Sequence, residues 1–81
     1  MQDFSYDAPA ELFPSRRYAK SPREQYRRFG TAAEAIRFII EEVPASWLNG
    51  SLLEVVERRF DGAGIRALYD AEGYPFQRRP A

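Results

Sequence analysis

The chain contains neither cysteine nor histidine, and for a sequence of 81 residues that double absence is the strongest constraint on what it can become. No disulfide framework is available. Structural zinc needs thiolate or imidazole ligands, and nucleophilic and acid–base catalysis near neutral pH lean most often on an imidazole. The fold must therefore hold by packing alone, in a domain that removes only roughly 60% of its unfolded surface from water. A hydrophobic content of 44%, with 15% aromatic, is too high for a wholly disordered chain, so one compact core is expected. Charged residues, among them Arg37, Glu41, Glu42, Glu54 and Glu57, break every apolar stretch before it reaches the roughly 18 to 20 residues of a membrane span. The first ten residues hold Asp3 and Asp7 in place of a basic and then apolar leader, so no secretory signal is expected and the expected location is the cytoplasm.

Net charge is zero, but the charges are segregated. Residues 15–30 carry Arg16, Arg17, Lys20, Arg23, Arg27 and Arg28 against Glu24 alone, with acidic stretches on either side. Lys20 is the only lysine among 12 basic residues, a bias that a GC-rich genome produces without selection for arginine chemistry. Residues 1–24 contain Pro9, Pro14 and Pro22 and no sustained apolar period, and they are expected to form a flexible basic and aromatic arm. Within it Asp7 is expected to cap a short turn carrying Leu12 and Phe13 on one side. Removing residues 1–22 is then expected to leave the unfolding midpoint nearly unchanged.

A compact domain is expected over residues 25–76, followed by a tail at 77–81. Gln25–Phe29 reads as a short strand. Thr31 followed by Glu34 matches a capping box, and Ala32, Ala35, Ile36, Ile39, Ile40 and Val43 recur at helical spacing until Pro44. On that wheel Ile36 and Ile40 lie mid-face, while Phe38 falls among Glu34, Glu41 and Glu42. Trp47 is assigned to the core, and Asn49-Gly50 signals a sharp reversal. Ser51–Phe60 supports either a second capped helix or a strand, and Val55-Val56 favours the strand. Asp61 is placed to cap a second helix with Ile65, Leu68 and Tyr69 on one face and Gly73 as its terminal glycine. The fold class expected is α+β in β-α-β-α order, with a two-stranded sheet and two helices.

The run from Tyr26 to Phe76, with TAAEAIRFIIEEVP, LLEVVERRFDG, IRALYD and YPF in order, resembles a family of short uncharacterised bacterial proteins. The resemblance implies that this core is a recurrent unit and supports the strand at Ser51–Phe60; it brings no activity with it.

Candidate chemistry is sparse. Gly62-Ala63-Gly64 at a helix start lacks the third glycine and the Lys-Ser/Thr of phosphate loops, and Asp61 would repel a phosphate there. Asp61 to Glu72 matches a calcium loop only at its ends, with Ala63, Ile65 and Arg66 where oxygen ligands or the turn glycine belong. The pairs Glu41/Glu42 and Glu54/Glu57 read as solvated faces, since so small a core leaves little material for a catalytic cleft. No catalytic residue, metal site or cofactor is expected. The expectation is a non-enzymatic binding or adaptor protein acting through protein–protein contacts, self-association included, because thin cores often rely on a partner and open strand edges invite one. Leu12, Phe13, Tyr18 and Phe38 are the candidate contact residues. The alternative is nucleic-acid binding through Arg16, Arg17, Lys20, Arg23, Arg27 and Arg28, whose interleaving with aromatics suits single strands.

Overall fold

The computed structural model describes residues 4–21 and 24–77. Its elements run β1 (Ala10–Phe13), β2 (Arg27–Phe29), α1 (Ala32–Arg37) continued by a π-helical turn (Phe38–Glu42), a 3-10 turn (Ala45–Trp47), β3 (Leu52–Val55), β4 (Arg58–Phe60) and α2 (Gly62–Asp70). The α+β class holds, but the sheet has four antiparallel strands in the order β2-β1-β3-β4, not two. The chain is thus two successive ββα halves, β1-β2-α1 and β3-β4-α2, with β1 and β3 paired at the centre.

The segment expected to be an arm supplies a central strand. Pro9 and Pro14 bracket four residues that alternate strictly, with Ala10 and Leu12 buried and Glu11 and Phe13 half-buried on the other side. Both prolines sit just outside the ladder, where the missing amide does no harm. Leu12 and Phe13 therefore point to opposite faces rather than sharing one. Residues before β1 are also integrated, because the carbonyls of Ala8 and Tyr6 accept from the amides of Ala32 and Ala33 at 2.7 and 3.0 Å. Two of the donors that every helix start leaves unpaired are satisfied this way. A third is met by the cap read from sequence, Glu34 N donating to Thr31 Oγ1 at 3.2 Å.

Ser51–Phe60 is extended as expected but folds as a hairpin, with Val56 and Glu57 as its two turn residues. Ser51 fastens this half to the first: its Oγ accepts from the Ser15 amide at 2.9 Å and donates to the Trp47 carbonyl at 2.6 Å. The Asn49-Gly50 reversal is present, with Gly50 at φ 98°. Asp61 caps α2 through the Gly64 amide at 2.9 Å. Gly73 has no positive φ and is not a terminal cap; a Cβ there would lie 3.3 Å from the Tyr6 ring.

One layer of helix covers one face of the sheet. α1 lies over β1 and β2 and reaches β3, and α2 lies over β3 and β4. Leu12, Ile36, Ile39, Leu53 and Ile65 are fully buried between them. Phe4, Tyr6, Phe60 and Phe76 close the margin of this core. Among the described residues no helix is long and apolar enough to cross a membrane.

The glycines that invited a phosphate-loop reading are packing residues. A Cβ on Gly62 would lie 2.6 Å from the Leu48 carbonyl oxygen, and one on Gly64 would lie 3.3 Å from the Phe60 side chain. Alanine is worth up to about 1 kcal/mol over glycine inside a helix, whereas overpacking costs roughly 1–3 kcal/mol. The neighbour at Gly62 is backbone and cannot swing aside, so Gly62→Ala is expected to lower stability by about 1–2 kcal/mol in urea unfolding. A gain in stability would show that the 48–49 loop does not approach α2 this closely.

Candidate docking face

Among the described residues no helix lies over the second face of the sheet. Strand pairing puts Glu11 directly opposite Arg28 on one side and Glu54 on the other, and Glu54 directly opposite Arg59. One row therefore crosses all four strands as Arg28, Glu11, Glu54, Arg59, with its two carboxylates adjacent at the centre. Like charges directly opposite destabilise a sheet, so this pairing is a local conflict that folding alone does not call for. Each carboxylate leans into its own half. Tyr26 Oη donates to Glu11 Oε2 at 3.1 Å, and Arg59 Nε donates to Glu54 Oε2 at 3.2 Å. The Glu11 bond, with lesser help from desolvation and the carboxylate's charge, raises Tyr26 above the ordinary tyrosine pKa. Arg28 forms no ion pair among the described residues.

Apolar groups border the row on both sides. Phe13 and Leu52 lie opposite each other on one side, with the Tyr26 ring 5.4 Å from Phe13, and Leu52 is 40% exposed. Pro9 and Val56 lie on the other. Two shallow depressions result: one of about 280 Å3 between Pro9, Glu11, Arg28, Glu54 and Val56, and one of about 290 Å3 between Phe13, Arg16, Leu52, Glu54 and Arg59.

Val56 marks the rim of the first. It is 78% exposed and sits at φ 56°, while Glu57 after it has no positive φ. A two-residue hairpin turn of this kind takes glycine at its first position, and a β-branched residue there is strained by roughly 1–3 kcal/mol. Glycine would remove the strain and lose about 0.5–1 kcal/mol in backbone entropy, with almost no packing at stake. Val56→Gly is therefore expected to raise the urea midpoint by an amount worth about 1 kcal/mol; a lowered midpoint would mean that the valine side chain stabilises the turn. An exposed apolar residue kept at a strained position is the kind of outlier that accompanies a contact site.

The residues singled out from sequence are dispersed. Phe13, Arg16 and Arg28 come together on this open face. Leu12 is wholly buried on the covered side and reaches no surface. Tyr18 stacks on Trp47 at 6.4 Å and 14°, with the Arg17 guanidinium 6.0 Å from its ring. Trp47 itself is half-buried beside the core. Phe38, placed on the polar side by the helical wheel, packs 5.6 Å from Phe29 beneath the Arg27 guanidinium at 4.5 Å. The amide of Lys20 donates to Glu24 Oε1 at 3.0 Å in the loop after β1. Arg23 and residues 78–81 of the expected tail lie outside the described residues.

Glu11, Leu52, Glu54, Val56 and Arg59 were not among those candidates. The one sequence signal for them is Arg-Arg-Phe, which occurs at 27–29 and again at 58–60, each time just before a capped helix start. Both copies form edge strands, so pairing two molecules edge to edge would set arginine against arginine, a common guard against such pairing. The chain matches no protein-family model, no curated protein and no solved structure, so the site is read from its own residues.

Proposed function

We propose that the protein is a small non-enzymatic binding module that docks a protein partner on the open face of its sheet, the partner bringing lysine or arginine beside apolar side chains. The observation that carries this reading is the Glu11–Glu54 pair at the centre of an uncovered face, bordered by Phe13 and Leu52 on one side and Val56 on the other. A cation seated there relieves the repulsion between the carboxylates, and the apolar borders add burial at roughly 25 cal/mol per Å2. A binding role rather than catalysis is supported by a sequence without histidine or cysteine and by the shallow, open form of this face among the described residues. A partner chain fits this face better than nucleic acid. The central carboxylates repel phosphates, and Tyr18, Tyr26 and Phe29, which would have to stack on bases, are engaged with Trp47, Phe13 and Phe38.

The test is an NMR titration of the labelled protein with three probes: a short peptide carrying lysine beside leucine, its glutamate counterpart, and a single-stranded oligothymidylate. The lysine peptide is expected to shift the amides of Glu11, Phe13, Leu52 and Glu54, and to bind at least tenfold more weakly to Glu11→Gln/Glu54→Gln. Oligothymidylate binding at Arg16, Arg17, Lys20 and Arg28 with a steep salt dependence would replace this reading with a nucleic-acid one. Failure of the lysine peptide to perturb the face would overturn it.

A further inference from the structure

We infer that the docking face is bivalent and receives two identical segments of a two-fold symmetric partner, one in each depression; this rests on the docking reading above.

The strands of the two ββα halves correspond residue for residue across the sheet. β1 and β3 are antiparallel with Glu11 directly opposite Glu54, so a two-fold axis normal to the sheet passes between these two residues. The axis exchanges the outer pairs as well: Arg28, opposite Glu11, corresponds to Arg59, opposite Glu54. Each Arg-Arg-Phe strand is followed by a side-chain cap, Thr31 or Asp61, and by a helix that buries an isoleucine followed by arginine, Ile36-Arg37 or Ile65-Arg66.

The depressions obey the same operation. Stepping two residues either way along paired strands, Pro9 exchanges with Leu52 and Val56 with Phe13, as Glu11 does with Glu54 and Arg28 with Arg59. Pro9, Glu11, Arg28 and Val56 of the first hollow thus exchange with Leu52, Glu54, Arg59 and Phe13 of the second, at volumes of about 280 and 290 Å3, while Glu54 also lines the first and Arg16 lines only the second. Each has a guanidinium, a carboxylate and an apolar pair, a set for one apolar side chain with a basic neighbour, with Glu54 common to both.

Two occupants fit this arrangement better than one. The apolar borders are four residues apart along the strands, about 14 Å at 3.4 Å per residue, beyond the reach of one side chain. A single chain crossing the axis has one direction and would meet the second half reversed, so it could complement only one of them. Two segments related by a two-fold axis meet both halves in the same sense, as isologous surfaces do. Glu11 leans toward Tyr26 and Glu54 toward Arg59, so each carboxylate is bonded within its own half of the sheet.

Calorimetry with the full chain tests this, using the lysine–leucine peptide alone and as a tandem of two copies on a flexible linker. The expected result is two single peptides per protein and one tandem, the tandem binding on the order of 100-fold more tightly through effective concentration. Glu11→Gln is expected to weaken binding in the first depression and leave amide shifts at Leu52 intact, whereas Glu54→Gln, which lines both depressions, is expected to weaken binding in each; thermal melts of both variants verify that they are folded. One peptide per protein, shifting Leu52 and Val56 together, would overturn bivalency and leave the docking function standing. Absence of binding anywhere on the face would remove both.

Discussion

Deleting residues 1–22 is expected to abolish cooperative unfolding, the opposite of what the irregular, proline-containing sequence of that segment suggests. The deletion removes β1, which is hydrogen-bonded on both sides and is the only strand partner of β2 among the described residues. It also removes Ala10 and Leu12 from the core, Phe4 and Tyr6 from its margin, and the carbonyls of Tyr6 and Ala8 from the start of α1. Truncating a buried leucine such as Leu12 to alanine already costs roughly 2–5 kcal/mol. A domain of this size with no disulfide or metal holds about 3–5 kcal/mol in total, so losing the whole strand exceeds what it has. Circular dichroism on heating should show a broad, non-sigmoidal change in place of a transition. A sharp transition with the wild-type urea dependence would mean that β3 and β4 with the two helices form the folding unit, and that β1 only docks on it.

What could be read from sequence divides along physical lines. Helix starts were legible because their signal is local: Thr31 and Asp61 accept from amides three residues on, and both caps are found. The Asn49-Gly50 turn was legible for the same reason. β1 was not, since four residues give only two periods of alternation and the flanking prolines are ordinary breakers unless the ladder is known to stop between them. The β3–β4 turn was hidden by chemistry at odds with its backbone, a β-branched valine where glycine belongs. The open face of the sheet depended on both. With β1 read as an arm and Ser51–Phe60 as one strand, Glu11, Glu54 and Arg59 could not be set in one row, and Glu54 read as half of a solvated pair with Glu57. Arg28 and Phe13 reached the candidate list for their type rather than their position.

Ile36→Ala and Ile39→Ala are each expected to cost roughly 2–5 kcal/mol, and Ile40→Ala clearly less, in urea unfolding at equal m-value. The 3.6-residue wheel makes Ile36 and Ile40 equivalent at mid-face. The structure separates them, because the helix widens to a π turn at Phe38 and the wheel stops being a guide there. Ile36 and Ile39 have no exposed surface and lie in the same buried cluster as Leu12, Leu53 and Ile65, whereas Ile40 is half-buried against its margin. A cavity left at Ile36 or Ile39 is enclosed by the rest of the buried cluster, so it can collapse little and the upper part of the range applies. Truncation at Ile40 opens toward solvent, which fills the space and leaves mainly the transfer loss of the part that was buried. The ordering is the informative outcome. Equal losses at Ile36 and Ile40 with a small one at Ile39 would mean that an unbroken α-helix runs through Phe38, and that Phe38 itself turns away from Phe29 toward solvent.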